Sequence, residues 1–191
     1  MFFCAGRGTR MLALTQHQPK PMIHVAGRPL IDHAIDAMDD MPRRFANLHY
    51  HPENLEKHLN LAGIEPIFET ELLETGGGLK HALPQLDRDA VFTMNTDAVW
   101  SGPKPAKVLR KHWNPDMMDG LLLLIPKDNA IGHKGTGDFL RASDGTLARG
   151  AGDVYTGLQI IKTNAFFAEG GVGDTFDTRH IVWRGVFGSL V

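Results

Sequence analysis

Positive charge and glycine are concentrated near the start of the chain, in a polar stretch without helical or strand periodicity. Gly6 and Gly8 have no Cβ, so the backbone N–H groups beside them can approach an anion closely. Arg7 and Arg10 add guanidinium groups, whose planar fork matches phosphate oxygens. Lys20 lies between two prolines, and the second favours an extended backbone that projects the ammonium. This combination suits the binding of a polyphosphate.

The glycine pattern by itself has a second interpretation. A Gly-x-Gly pair often only marks a turn, and here no Gly-Lys-Ser/Thr follows as in a Walker P-loop. The third glycine of the dinucleotide-binding fingerprint is also missing. From these residues alone, a purely structural loop in a generic α/β domain that binds no triphosphate remains open beside the phosphate-binding loop.

A possible metal ligand occurs further along the chain. Asp97 follows the apolar run 90–94, which predicts a buried strand, and an acid at the carboxyl end of a strand faces the crevice where α/β proteins bind ligands. A carboxylate is a hard oxygen ligand suited to Mg²⁺. The alternative is a turn aspartate whose side chain bonds to nearby backbone groups.

Short apolar runs alternate with amphipathic stretches, which predicts an α/β fold. Strands are predicted at 1–5, 48–51, 65–69, 90–94, 120–125 and 154–161, with the start of another at 186–191. Helices are predicted at 29–41, 52–62, 77–83 and 105–113, and a hairpin at Asp144-Gly145. Gly170, Gly171 and Gly173 are typical of a flexible segment. The long loop 6–22 would be positioned by the first strand.

The bulk properties exclude several classes of function. A length of 191 residues predicts a single domain, 1–191, and the net charge of −2 predicts neither a nucleic acid nor a membrane as partner. The single cysteine, Cys4, lies in an apolar run and is interpreted as a small buried residue. We expect a cytoplasmic protein, because the sequence has neither a signal peptide nor a long apolar stretch. The sequence does not indicate an oligomeric state.

The loop resembles the signature of the sugar-1-phosphate nucleotidyltransferases. The matching residues are Ala5-Gly6-Arg7-Gly8-Thr9-Arg10-Met11, Leu14-Thr15 and Pro19-Lys20-Pro21. Two further runs are most similar to the N-acetylmuramate-1-phosphate uridylyltransferase branch, namely Lys20-Pro21-Met22 with Val25-Ala26-Gly27-Arg28-Pro29-Leu30-Ile31, and Leu73-Glu74-Thr75-Gly76-Gly77-Gly78. The resemblance implies a Rossmann-like three-layer α/β/α sandwich with a mostly parallel mixed sheet. It also implies a reaction that joins a sugar 1-phosphate to a nucleoside triphosphate, UTP by preference, and releases pyrophosphate. Thymidylyl, guanylyl and cytidylyl donors stay open, as do muramate, glucosamine and glucose phosphates as acceptor.

The same resemblance implies roles for particular residues. Arg10 and Lys20 would be catalytic, and Asp97 would bind Mg²⁺. The nucleotide would be bound by Ala5, Gly6, Arg7, Gly8 and Thr9, with Gly77 and Gly78 beside the base. For the glycine run, a flexible loop without a ligand is the alternative. Thr156 and Gly157 would contact the sugar, and Gly137-Asp138-Phe139 resembles a segment on the sugar side.

The C-terminal part of the sequence departs from the family pattern. Relatives have a second metal-binding aspartate in a late segment that resembles Trp-x-Asp-x-Gly, and no such segment occurs before Val191. Asp174 and Asp177 fall earlier, in a glycine-rich stretch that matches no family motif. We therefore expect the domain to be incomplete at its C-terminal end. A catalytically inactive module that binds a nucleotide or nucleotide sugar and regulates a partner is the alternative function.

Overall fold

Eleven strands are described in the computed structural model, which covers residues 1–38, 40–164 and 183–187. Seven of them form one mixed sheet in the order β11-β7-β10-β6-β1-β4-β5, and the others form two separate two-stranded hairpins. The strands are β1 (Phe2–Phe3), β2 (His24–Val25), β3 (Arg28–Pro29), β4 (Phe45–Leu48), β5 (Glu65–Phe68), β6 (Ala90–Asn95), β7 (Gly120–Ile125), β8 (Phe139–Arg141), β9 (Leu147–Arg149), β10 (Val154–Lys162) and β11 (Trp183–Phe187). Among the described strands of the main sheet, β10 alone is antiparallel to its neighbours. The predicted mostly parallel mixed sheet is confirmed.

The direction of the chain reverses next to β1. The chain first moves outward from β1 to β4 and β5, then returns to place β6 on the other side of β1. Phe3 at the end of β1 is in register with Asn47 on β4 and with Asn95 on β6. Ligands of open α/β sheets bind outside the carboxyl ends of the strands at such a reversal. The loops that follow β1 and β6 therefore open into the same crevice.

Helices cover both faces of the sheet. They are α1 (Leu30–Ala37), α2 (Pro52–Leu61), α3 (Glu74–Leu86) and α4 (Pro105–His112). One apolar core joins Phe2 to buried residues of α1, α2 and α4, and a second joins Met1 to α3. Phe3 also packs against the second core, so the two residues of β1 enter different cores, because successive side chains of a strand point to opposite faces. The predicted three-layer sandwich is confirmed.

Several predicted boundaries were wrong. The second main-sheet strand is Phe45–Leu48 rather than 48–51, and α1 ends at Ala37 rather than near residue 41. Helix α3 was predicted at 77–83, but it begins at Glu74 and continues past Pro84 to Leu86. Leu83 and Leu86, on either side of Pro84, are buried in the second core. Burial of this face holds the last turn helical despite the missing N–H.

The remaining predictions concern hairpins and strands at the edge of the fold, and segments outside the described residues. The hairpin at Asp144-Gly145 is present as β8 and β9. The strand predicted at 186–191 overlaps β11 at residues 186 and 187, and residues 188–191 lie outside the described residues. The unpredicted hairpin of β2 and β3 turns at Ala26-Gly27, where both residues have positive φ. The glycine-rich segment 170–173, Asp174 and Asp177 lie outside the described residues. Within the described part, no helix has the length and apolar character needed to cross a membrane.

Candidate functional site

Two adjoining clefts open at the carboxyl ends of β1 and β6. The smaller, of about 460 Å³, is lined by the start of the loop after β1 together with Lys20, Asp97 and the beginning of α3. The larger, of about 1720 Å³, extends from Arg10 and Asp97 to the segment that carries Tyr155 and Thr156. Arg10 and Asp97 line both clefts. The structure thus brings together most of the residues that the sequence analysis selected.

The loop after β1 forms one wall of the smaller cleft. The lining includes every predicted residue of this loop, Ala5, Gly6, Arg7, Gly8, Thr9 and Arg10. Arg7 and Arg10 are exposed. An added Cβ at Gly6 would meet no atom within 4 Å, so the backbone there faces open space. A wall of exposed guanidinium groups and bare backbone is the arrangement expected for binding phosphates.

Gly8 packs closely against the residues that hold Lys20. It has φ +61°, and a Cβ built on it would lie 2.9 Å from Thr15 Cγ2 and 3.0 Å from Lys20 Cβ. The Thr15 hydroxyl, which is buried, donates a hydrogen bond to the Gly8 carbonyl at 3.1 Å. The left-handed backbone and the close packing both require glycine at this position. Thr15 belongs to the run that resembles the nucleotidyltransferase signature, and its buried hydroxyl identifies it as a structural support for the loop.

Replacement of Gly8 by alanine is expected to displace Lys20. The new methyl group would overlap Thr15 and Lys20 and would strain a backbone with φ +61°. We expect Gly8→Ala to lower kcat/KM about tenfold to hundredfold and to destabilise the fold by about 1–3 kcal/mol. Steady-state kinetics of the reaction that the sequence resemblance implies, and thermal unfolding, measure the two effects.

Gly27→Ala is the matched control for backbone strain. Gly27 has φ +80°, but a Cβ there would meet no atom within 4 Å. This variant therefore adds the strain of positive φ without the overlap at Lys20. Equal losses of kcat/KM in both variants would contradict the role of Gly8 in placing the lysine.

Lys20 and Asp97 form an ion pair at the junction of the clefts. Lys20 Nζ lies 2.6 Å from Asp97 Oδ2, and their side chains are 24% and 41% exposed. Lys20 is placed by a 3-10 turn, Lys20–Met22, that begins after extended Pro19, and Asp97 is the second residue after β6. The neighbouring Thr96 is buried and donates to the Phe3 carbonyl at 3.0 Å, which ties the end of β6 to β1. The pair places a cation and a carboxylate where both clefts meet.

The carboxylate at this junction fits a divalent metal ion whose remaining ligands would come from water and a bound substrate. Asp97 supplies a carboxylate, and the described residues contain no cluster of three or more His, Cys, Asp or Glu side chains. Mg²⁺ in nucleotide enzymes is commonly held by one or two carboxylates together with water and substrate phosphates. The exposed edge of Asp97 faces the same cleft as Arg10, where such phosphates would lie.

The glycine run lies in helix α3. Gly77 and Gly78 were predicted in a helix at 77–83, which is confirmed, and the helix begins three residues earlier, at Glu74. Gly78 is buried, and neither Gly77 nor Gly78 lines one of the two clefts. The cleft is instead lined by Glu74, Thr75 and Gly76 of the first turn. Backbone N–H groups in a first turn have no intrahelical acceptor and can donate to the edge of a base. The role of Gly77 and Gly78 beside the base stays a prediction, and Thr75 and Gly76 are nearer candidates that the sequence analysis missed.

Thr156 and Gly157 line the larger cleft as a bulge in β10. The pairing of β10 with β7 shifts register between Tyr155 and Gln159. Gly157 has φ +83°, and a Cβ added to it would lie 2.8 Å from Asn95 Cβ. The Thr156 hydroxyl donates to the Leu123 carbonyl at 2.8 Å, so toward a ligand it can act only as an acceptor. Asp138, from the segment noted for the sugar side, accepts the Tyr155 N–H at 2.9 Å and lines the same cleft.

Two titratable groups near the clefts are held neutral by burial. Burial raises the pKa of the Cys4 thiol to about 12, and a hydrogen bond with Thr96 opposes the shift. Burial also raises the pKa of Tyr155. Both side chains are therefore protonated at neutral pH, and Cys4 is the buried residue that was predicted rather than a nucleophile.

Comparison with known proteins identifies relatives of this chain. The profile of the MobA-like NTP transferase domain matches residues 1–130. The N-acetylmuramate alpha-1-phosphate uridylyltransferase of Caulobacter vibrioides is 36% identical over 179 residues, which cover 85% of this chain and 74% of that protein.

Solved structures with the same fold include two that are matched over nearly all of this chain. HddC from Yersinia pseudotuberculosis, complexed with GMP-PN, has a TM-score of 0.74 at 19% identity and is matched over 98% of this chain and 88% of its own. The inositol-1-phosphate CTP transferase from T. maritima has a TM-score of 0.78 at 16% identity, with 97% and 83% matched. At these identities the likeness concerns the fold alone.

Proposed function

The chain belongs to the MobA-like NTP transferase domain family, and we propose that it transfers a uridylyl group from UTP to N-acetylmuramate 1-phosphate, with Mg²⁺ as the metal. Sugar-1-phosphate nucleotidyltransferase activity follows from the family and from the 36% identical relative. The base, the sugar and the identity of the metal are our proposals. They are supported by the named activity of that relative, which is matched over most of this chain.

The ion pair between Lys20 and Asp97 is the observation that carries the proposal. It lies where the cleft lined by the phosphate-binding loop meets the cleft lined by Thr156 and Gly157. A triphosphate in the smaller cleft and a sugar phosphate in the larger cleft would therefore bring their reacting phosphates together beside these two side chains. This is the placement that a transfer between two phosphorylated substrates requires.

In the proposed reaction an oxygen of the sugar 1-phosphate forms a bond to the α-phosphorus of UTP. The bond from that phosphorus to the β-phosphate oxygen breaks, and pyrophosphate leaves with the bonding electron pair. No protein group is covalently modified. Lys20 would neutralise charge on the reacting phosphates, and Arg10 with the backbone of residues 5–9 would hold the leaving β- and γ-phosphates.

Asp97 would hold the metal ion together with oxygens of the bound triphosphate. When bound, the ion supplies positive charge that offsets the charge of the phosphate oxygens. The base would lie at the first turn of α3, where N–H groups can donate to the carbonyl oxygens of uracil. Thr156 would accept a hydrogen bond from a sugar hydroxyl in the larger cleft.

The test is pyrophosphate release by the full-length gene product with Mg²⁺. UTP, dTTP, GTP and CTP are each paired with N-acetylmuramate, N-acetylglucosamine and glucose 1-phosphates. We expect release only when UTP and N-acetylmuramate 1-phosphate are both present. Release with another pair would replace the proposed substrates. Binding of UTP without release from any pair would instead favour an inactive nucleotide-binding module.

A further inference from the structure

A buried polar pair, Asn47 and Glu69, lies beside the smaller cleft, and Asn47 is one of the residues that line it. Asn47 on β4 is 3% exposed, and Glu69, directly after β5, is 5% exposed. Asn47 Nδ2 donates a hydrogen bond to Glu69 Oε1 at 2.7 Å. A carboxylate is rarely buried to this extent unless its oxygens are hydrogen-bonded, because removing it from water is costly. The burial of this carboxylate is therefore explained by the groups that Asn47 and Glu69 bind.

Each member of the pair also binds the backbone of one wall of the cleft. The Cys4 N–H donates to Asn47 Oδ1 at 2.8 Å, and Cys4 begins the loop that carries Arg7 and Arg10. The Leu73 N–H donates to Glu69 Oε2 at 3.2 Å, and Leu73 directly precedes α3. One continuous chain of hydrogen bonds thus joins the phosphate-binding loop to the start of the helix that lines the opposite wall.

Helix α3 approaches the pair so closely that only glycine fits. A Cβ at Gly78 would lie 2.5 Å from Glu69 Oε1 and 2.8 Å from Asn47 Nδ2. Glycine inside a helix lowers stability relative to alanine, so its presence here is explained by the close contact with the carboxylate. The position of α3 is therefore set by the same two side chains that hold the loop.

We propose that Asn47 and Glu69 are positioning residues that fix the distance between the phosphate-binding wall and the base-binding wall of the nucleotide site. This inference rests on the proposed function, because it assumes that the two walls bind the two ends of one nucleotide. A rigid separation matters only for a ligand that contacts both walls. Inorganic triphosphate, which lacks the base, contacts the loop wall alone and does not depend on that separation.

Glu69→Gln tests the proposal with little change of shape. The amide has one acceptor oxygen, so either Asn47 or Leu73 would face an NH₂ group instead of an oxygen. We expect the affinity for UTP with Mg²⁺ to fall about tenfold or more, while the affinity for inorganic triphosphate changes less than about threefold. Titration calorimetry well below the unfolding temperature measures both affinities.

Glu65→Gln is the matched control, because Glu65 begins the same strand and its side chain is exposed beside Arg43. Gly78→Ala is a second test, since its methyl group would push α3 from the pair without a change of charge. We expect Glu65→Gln to match the wild type and Gly78→Ala to lose UTP affinity selectively.

Three results would overturn the proposal in different ways. A lower unfolding temperature with unchanged affinities for both ligands would show that the pair only stabilises the fold. An equal loss of both affinities would show that it supports the loop wall but does not link the walls. Failure of the wild-type protein to bind any nucleoside triphosphate would overturn the proposed function together with this inference.

Discussion

Replacement of Lys20 by alanine is expected to lower kcat/KM for pyrophosphate release by at least about a hundredfold, or about 3 kcal/mol of transition-state stabilisation. Its ammonium lies at the junction of the clefts, 2.6 Å from Asp97. Lys20 lies between two prolines at the start of a 3-10 turn, and this turn and the contact with Gly8 hold the side chain there before any substrate binds. A charge that is already in place needs no rearrangement during the reaction, which is why its loss should lower kcat more than it raises KM.

Two companion variants separate charge from geometry at this position. Lys20→Arg keeps the positive charge on a larger, planar group, so we expect a loss intermediate between wild type and Lys20→Ala. Lys107→Ala removes an exposed lysine from α4, outside both clefts, and should leave the rate unchanged. Turnover by Lys20→Ala at the wild-type rate would exclude the proposed role of the lysine.

The parts of the fold that could be predicted are those determined by local sequence. Gly120–Ile125 was predicted to the residue, because a strand covered on both faces is a continuous apolar run. Residues 5–10 were selected for a similar reason, since their glycines and cations are adjacent along the chain, and they form one wall of the smaller cleft. Their role in binding phosphate stays a prediction. Lys20 and Asp97 were both selected, but their ion pair joins residues 77 apart and depends on the order of the strands. Spacing along the sequence contains no information on that contact.

The errors arose where long-range contacts overrode local preference. The polar residue Asn47 made Phe45–Leu48 look less like a strand than the run that follows it, yet Asn47 is buried because Cys4 and Glu69 satisfy its amide. Helix α3 begins at Glu74 rather than at Gly77, so all three adjacent glycines are helical, and a Cβ added at Gly78 would lie 2.5 Å from Glu69 Oε1. In both cases the structure depends on contacts with the buried Asn47–Glu69 pair, which local sequence preference does not show.

Replacement of Asp97 by asparagine is expected to lower turnover on the order of a thousandfold, because it removes the carboxylate proposed to bind the metal. The amide has nearly the same shape, so the end of β6 should keep its structure through the bond from Thr96 to Phe3. Binding of Mn²⁺ in the presence of UTP, followed by electron paramagnetic resonance, should be lost together with activity. Asp116→Asn, at an exposed turn outside both clefts, should change neither.

Without nucleotide, Lys20 and a metal ion would compete for the same carboxylate. Lys20 Nζ already contacts Asp97 Oδ2, so a cation that binds there must displace it or share the group. We therefore expect Lys20→Ala to bind Mn²⁺ alone more tightly than wild type, although it turns over more slowly. In the double variant Lys20→Ala with Asp97→Asn, the loss of kcat/KM should be smaller than the sum of the two single losses in free energy, since both side chains act on the same phosphates. Additive losses would indicate that the two residues act independently and would contradict a shared site.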